Sequence, residues 1–246
     1  MRVGPIEKDI MKKREEGTVC FALIDSENLG VRKAARLAEI ADDGGAGAIL
    51  VGGSTVVDQI ELNSVIKSIK KTSRLPVILF PGNITGLSQH ADAVLFMSLL
   101  NSDNPYFITE AQALSAFTVK KYGLEPLPTA YLIVGDGGIT GFIGRARGIP
   151  PDKPEIAAMY SLAAQYLGMR FLYLEAGSGV KTHVSLDTIS VVRKAYSGFL
   201  IVGGGIKDAQ TARNIVEVGA DAIVIGTLLE NRTSKTHLLS ITQALH

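Results

Sequence analysis

Eight short apolar runs, each followed by an amphipathic or polar stretch, constrain this chain more than any other feature. They fall at residues 19–25, 47–52, 76–80, 92–97, 130–134, 171–175, 199–203 and 221–226. Each is continuous, with no alternation of apolar and polar positions. A strand wetted on one face would alternate, so continuous runs imply strands covered on both faces, as in a parallel sheet. Helical periodicity fills most of the gaps, at 31–44, 58–71, 110–122, 154–167, 185–195, 208–218 and 234–245. Ser185 with Thr188, and Asp208 with Thr211, place short polar groups where a first helical turn needs them.

Three of the runs echo one another. Ala46-Gly47-Ala48-Ile49-Leu50-Val51-Gly52 resembles Ala91-Asp92-Ala93-Val94-Leu95-Phe96-Met97, and both resemble Ala220-Asp221-Ala222-Ile223-Val224-Ile225-Gly226. The likeness fits a repeated strand–helix unit. Eight such units in 246 residues match the size of one closed, TIM-type (β/α)8 barrel, so residues 1–246 read as a single α/β domain. The runner-up is an open, doubly wound sheet. Residues 81–91 are too short and too rich in glycine and proline for a covering helix. The third barrel helix is therefore expected to be missing or vestigial, leaving a thinly covered flank that suits a long apolar ligand.

Charge excludes some partners. The 25 basic residues nearly balance the 24 acidic ones, for a formal net charge of +1. No whole-chain field draws the protein to nucleic acid or to an anionic membrane. The groups Lys12-Lys13-Arg14 and Lys70-Lys71 fall on expected helices and read as solvated faces. Cys20, the only cysteine, lies inside an apolar run and reads as an inert core thiol. No run approaches the roughly 20 residues of a membrane helix, and residues 1–17 lack a signal-peptide core. The expectation is a cytoplasmic protein with at most peripheral membrane contact.

Strand six ends in Tyr173-Leu174-Glu175-Ala176-Gly177-Ser178-Gly179, strand seven in Gly203-Gly204-Gly205-Ile206, and strand eight in Gly226-Thr227. Glycine lets backbone approach a ligand closely, and exposed N–H groups then converge on an anion. In a barrel, the usual phosphate site uses the loops after strands seven and eight. These turns read as a phosphate cradle. Glu175, beside it, would repel phosphate directly; it fits better as an acceptor from a hydroxyl of the same ligand, with Tyr173 as a donor. Both are candidate catalytic residues, and the ligand is a hydroxylated phosphate. Helix capping for Glu175 and core packing for Tyr173 are the purely structural alternatives.

Across the mouth, strand one ends at Asp25 and strand two runs into Gly52-Gly53-Ser54-Thr55. An acid and a hydroxyl on adjacent strand tips offer oxygens to Mg²⁺, which takes one or two from protein and the rest from water and phosphates. A Mg²⁺-borne diphosphate fits. Of the four histidines, only His183 lies where it could touch a ligand. The loops 98–109 and 135–153 follow strands and belong to the site end.

At these residues the chain resembles the archaeal geranylgeranylglyceryl phosphate synthase family, related to bacterial heptaprenylglyceryl phosphate synthase. The words that carry the resemblance are Leu23-Ile24-Asp25, Val51-Gly52-Gly53-Ser54-Thr55, Leu79-Phe80-Pro81-Gly82-Asn83, Phe96-Met97-Ser98-Leu99-Leu100-Asn101-Ser102, Tyr173 through Gly179, and Ile201 through Ile206. The chain looks most like the second of the family's two groups. The resemblance implies transfer of a geranylgeranyl group from its diphosphate to the C3 hydroxyl of sn-glycerol 1-phosphate, in archaeal ether-lipid biosynthesis. It implies Mg²⁺ at Asp25 and Ser54. It implies glycerol 1-phosphate at Tyr173, Leu174, Glu175, Ala176, Gly177, Ser178, Gly179, Gly203, Gly204, Gly226 and Thr227, and a homo-oligomer, either dimer or hexamer. Two departures stand out. Ser26 replaces a common proline, which is expected to loosen the turn at Asp25, and Phe142 follows strand five where the family often carries a tryptophan.

Three other readings share the cradle: a donor of another length, a barrel-type isomerase or aldolase, and a non-catalytic phosphate binder. The second needs another acid/base or a strand-tip lysine. The third needs no metal site.

Overall fold

The computed structural model describes residues 3–26, 29–53, 58–177, 180, 182–230 and 234–245. In chain order its elements are α1 (Pro5–Glu16), β1 (Val19–Asp25), α2 (Val31–Asp43), β2 (Ala48–Gly53), α3 (Gln59–Thr72), β3 (Val77–Pro81), β4 (Ala93–Leu99), α4 (Ala111–Tyr122) and β5 (Glu125–Gly137). There follow α5 (Gly138–Ile143), α6 (Pro154–Tyr166), β6 (Phe171–Gly177), α7 (Leu186–Ala195), β7 (Phe199–Gly203), α8 (Ala209–Glu217), β8 (Ala222–Ile225) and α9 (Ser234–Gln243). The eight strands are parallel and close in chain order, with β1 pairing to both β2 and β8. This is the expected TIM-type barrel, and the open-sheet alternative is excluded.

The continuous apolar runs have the cause the sequence suggested. Alternate residues of each strand face two different cores. Phe21, Leu50, Ile78, Leu95, Phe171 and Ile201 fill the barrel interior. Their neighbours Cys20, Ile49, Leu79, Leu172 and Leu200 pack outward against the helices. Burial pushes the Cys20 thiol up to about 12, so it stays protonated and unreactive.

Helix starts follow the side chains available. Asp58 caps α3 through the Ile60 N–H, Ser185 caps α7 through the Thr188 N–H, and Asp208 caps α8 through the Thr211 N–H. Between β3 and β4 no α-helix forms. A single 3₁₀ turn, Ile84–Gly86, takes its place, started by Asn83 accepting from the Ile84 N–H at 2.7 Å. The vestigial third helix expected from residues 81–91 is thus observed.

The N-terminal helix closes the opposite end of the barrel. Its first N–H groups, on Ile6 and Glu7, donate to the carboxylate of Glu125, the first residue of β5, at 2.8 and 2.9 Å. Ile10 is buried against the interior core. Buried Glu7 receives two bonds from Arg170, just ahead of β6, at 2.5 and 2.7 Å. With α1 packed over that end, the described cavity opens at the C-terminal ends of the strands.

Candidate functional site

The strand ends open into a cavity of about 460 Å³, within the range of small-molecule sites. Strand parity decides which residues reach it. Tyr173 and Glu175 face inward on β6, whereas Leu174 and Ala176 pack outward in the helix-facing core. Those two, expected among the ligand residues, therefore have only backbone groups to offer. Ser178 and Gly179 lie outside the described residues.

Glu175 is 7% exposed and accepts the Gly177 N–H at 2.6 Å. Burial raises its carboxyl above the ordinary value of 4.5, while that N–H and the hydroxyls of Tyr173 and Tyr131 pull it partly back. Tyr173 is fully buried, and its hydroxyl finds no regularly aligned partner among the described residues. It is nonetheless near enough to Glu175 to favour the charged carboxylate. Burial first, then the Glu175 charge, raises both phenols well above their usual range, so both stay protonated donors.

Three rings form the floor. Tyr131 and Tyr173 are register neighbours on β5 and β6, with centroids 5.1 Å apart. Phe80, from the tip of β3, lies 5.4 Å from Tyr173 and 5.8 Å from Tyr131. The sequence reading named Tyr173 but missed Tyr131 and Phe80. Tyr131 was within reach, since it shares the inward parity of the expected fifth strand.

The cradle stands over this floor. Gly203 pairs in register with Glu175. Gly204 and Gly205 turn through positive φ, at 83° and 71°, a region that glycine enters without strain. Both line the cavity with Gly226 and exposed Thr227. Lys207, directly after the cradle, also lines it. His183, by contrast, is absent from the cavity wall; its Nδ1 bonds the Val184 carbonyl at 2.6 Å.

Asp25 sits at the tip of β1, one strand beyond β8, in register with Gly52, and lines the cavity with Gly52 and Gly53. Ser54 lies outside the described residues. No cluster of three or more metal-ligating side chains occurs among the described residues. One exposed carboxylate still suits Mg²⁺, which keeps most of its shell for water and phosphate oxygens. The turn expected to be loosened by Ser26 runs into residues 27–28, which lie outside the described residues. The Ser26 N–H donates to the Gly52 carbonyl at 3.0 Å, a bond that proline could not make.

The third wall is apolar: Met97 and Leu99 from β4, Phe107 from the turn before α4, Ala111 at the start of α4 and Ile143 from α5 line it. Gly82 and Tyr106 extend it toward the gap left by the vestigial helix. A π-helical turn, Tyr106–Glu110, leads into α4. Its carbonyls are held by side chains, Ser98 bonding Ile108 and Gln112 bonding Phe107. The cavity thus joins an anion cradle, a buried acid–phenol cluster, an exposed carboxylate and an apolar groove.

Known proteins share this plan. A model of the PcrB family matches residues 10–245. A geranylgeranylglyceryl phosphate synthase of Nitrosopumilus maritimus is 58% identical over 244 residues, 99% of this chain and 97% of that protein. One of Cenarchaeum symbiosum is 57% identical, covering 96% and 94%. Among solved structures, (S)-3-O-geranylgeranylglyceryl phosphate synthase of Thermoplasma acidophilum, in complex with its substrate sn-glycerol-1-phosphate, superposes with a TM-score of 0.95 at 36% identity, covering 99% of each chain. A barrel with this cavity, and with likeness running along nearly all of its length, belongs to the PcrB family.

Proposed function

We propose that this chain is a phosphoglycerol geranylgeranyltransferase, which joins the C3 hydroxyl of sn-glycerol 1-phosphate to geranylgeranyl diphosphate and releases diphosphate. The observation that carries this reading is the placement of buried Glu175 between the glycine cradle and the apolar groove. The cradle N–H groups of Gly204 and Gly205 grip the acceptor's phosphate. Tyr173 and Glu175 then meet its hydroxyl end. The groove along Met97, Leu99 and Phe107 takes the prenyl chain and excludes water.

The chemistry balances at one carbon. The C1–O bond of the allylic diphosphate breaks with its electron pair going to diphosphate. The acceptor's C3 oxygen forms the new C–O bond, and its proton passes to Glu175, whose raised affinity for a proton suits a general base. The Tyr173 and Tyr131 hydroxyls favour the charged form of that carboxylate. Asp25, with Ser54, would hold Mg²⁺, whose charge would neutralise the departing diphosphate. Fixed positioning of the two ligands supplies much of the remaining rate gain.

The proposal places the reaction in the cytoplasm, in a homo-oligomer, either dimer or hexamer. No described helix is long and apolar enough to cross a membrane. Phe117 on α4, Phe142 on α5 and Tyr166 on α6 are 83, 85 and 78% exposed, and self-association is a natural cover for them. An aldolase-like reading is weaker, since none of the eight strands ends on lysine. The deciding experiment measures ether formation with donors of increasing length, with and without a Mg²⁺ chelator. Turnover that peaks with geranylgeranyl diphosphate and collapses on chelation supports the proposal. Acceptor binding without any turnover would leave a phosphate binder instead.

A further inference from the structure

The cavity poses an electrostatic problem. It must hold an acceptor phosphate of roughly −1.5 to −2 charge at neutral pH, yet two of its walls carry carboxylates, Asp25 and Glu175. The cradle N–H groups bear only partial charges. Helix α8 points its N-terminus at the same turn, but its positive end is already compensated. Asp208 caps it, accepting the Thr211 N–H at 2.7 Å, and that bond holds the Asp208 carboxyl below its ordinary range. With the proposed Mg²⁺ engaged by the donor's diphosphate, a full positive charge beside the cradle would offset Glu175.

Among the described residues that line the cavity, Lys207 is the only cation. It follows Gly204-Gly205-Ile206 directly. Ile206 is buried in the helix-facing core, which anchors the turn from behind. Lys207 is exposed, so its stem can lie along the wall while its ammonium reaches the mouth. We propose that Lys207 is the residue that neutralises the phosphate of the glycerol phosphate acceptor, completing the cradle with a full charge. The inference rests on the acceptor assigned under the proposed function. It makes Lys207 a discriminator between a phosphorylated and an unphosphorylated glycerol.

Calorimetric titration of sn-glycerol 1-phosphate into wild type, Lys207→Met, Lys207→Gln and Lys207→Arg, each across a salt series, tests this. The Met and Gln variants are expected to bind at least about tenfold more weakly at low salt, as loss of one charge-assisted contact to phosphate implies. Their affinity should also depend less steeply on salt, which a merely structural role would not produce. Lys207→Arg should restore most of the affinity and the salt dependence. Unchanged acceptor binding in both neutral variants overturns the proposal. So does a loss confined to geranylgeranyl diphosphate, which would assign Lys207 to the donor. Failure of the enzymatic reading shows up separately, as wild-type protein that binds the acceptor but never turns over.

Discussion

A Cβ placed on Gly204 would fall 2.5 Å from Glu175 Oε1 and 2.8 Å from the Gly177 carbonyl. The cradle backbone and the buried acid are therefore packed too closely to admit a side chain at residue 204. Gly204→Ala strains the chain twice: its φ of 83° lies in the left-handed region, and the methyl must displace the carboxylate. Left-handed backbone alone costs about 1–2 kcal/mol. A displaced base should lower kcat by about 10²-fold. Gly226→Ala is the contrasting case. Its methyl would sit 3.5 Å from Leu23, in ordinary contact, so thermal stability should hold while the methyl fills ligand space and raises the acceptor KM. Steady-state kinetics and a melting curve on both variants separate strain from occlusion.

Glu175 should govern the acid limb of the pH profile. Its folded-state pKa is raised above the ordinary 4.5, chiefly by burial. The active, charged form therefore appears only above the usual glutamate range, and kcat at saturating substrates should rise with pH through that shifted value. Stability should run the other way. For a raised carboxyl, stability is full below the unfolded value of 4.5 and declines as pH climbs through the folded one. Glu175→Gln should remove both effects, cutting kcat by about 10²-fold or more and lessening the fall of the melting temperature as pH rises above 4.5. A variant with wild-type kcat would take Glu175 out of the reaction.

Ser26 is fully buried, and its hydroxyl finds no hydrogen-bond partner among the described residues. Its N–H, by contrast, ties β1 to the Gly52 carbonyl. Ser26→Ala removes the unpaired hydroxyl and keeps the N–H. It should stabilise the fold by about 1 kcal/mol, visible as a melting temperature higher by about 2–4 °C. Ser26→Pro loses the tie, and should be less stable than Ser26→Ala. If Ser26→Ala instead melts lower, the hydroxyl has a partner that matters.

Much of this was legible in the sequence because strands buried on both faces leave continuous apolar runs. β1 and β7 begin and end where those runs do. β5 shows what the pattern misses. It was expected at 130–134 but spans Glu125–Gly137, because Pro126 and Pro128 break the apolar run. The structure tolerates them: β4 pairs with β5 from Glu125 onward, whereas β6 joins only at Thr129, so the first four residues need bonds on one side only. Glycines in residues 138–143 likewise disguised α5 as loop. At the site, Asp25, Glu175 and the cradle could be read because each ends a strand. Phe80 joins Tyr131 and Tyr173 only through barrel closure, which brings β3 across from β5 and β6. No local pattern encodes that meeting.

The two long site loops are joined at Asn101, and that joint should matter for both stability and the groove. Asn101 is 1% exposed. Its Nδ2 donates to the Ile133 carbonyl and to the Arg147 carbonyl, each at 2.9 Å, and its Oδ1 accepts the Ile133 N–H at 3.2 Å. The Arg147 N–H returns a bond to the Asn101 carbonyl at 2.7 Å. One side chain thus fixes the end of β5 and the segment after α5 against the loop that follows β4. Asn101→Ala takes the side-chain partner from the Ile133 N–H and from the Arg147 carbonyl, while the Ile133 carbonyl keeps the Ile149 N–H, a loss of about 1–3 kcal/mol. Asn101→Asp keeps the shape but cannot donate through both positions, so it should be nearly as damaging. Because Ile143 and Gly144 line the cavity beside its apolar wall, which the proposed function gives to the prenyl chain, the loosened loop should raise the donor KM more than the acceptor KM. Equal changes in both, or none in stability, would show that the loops hold their places without Asn101.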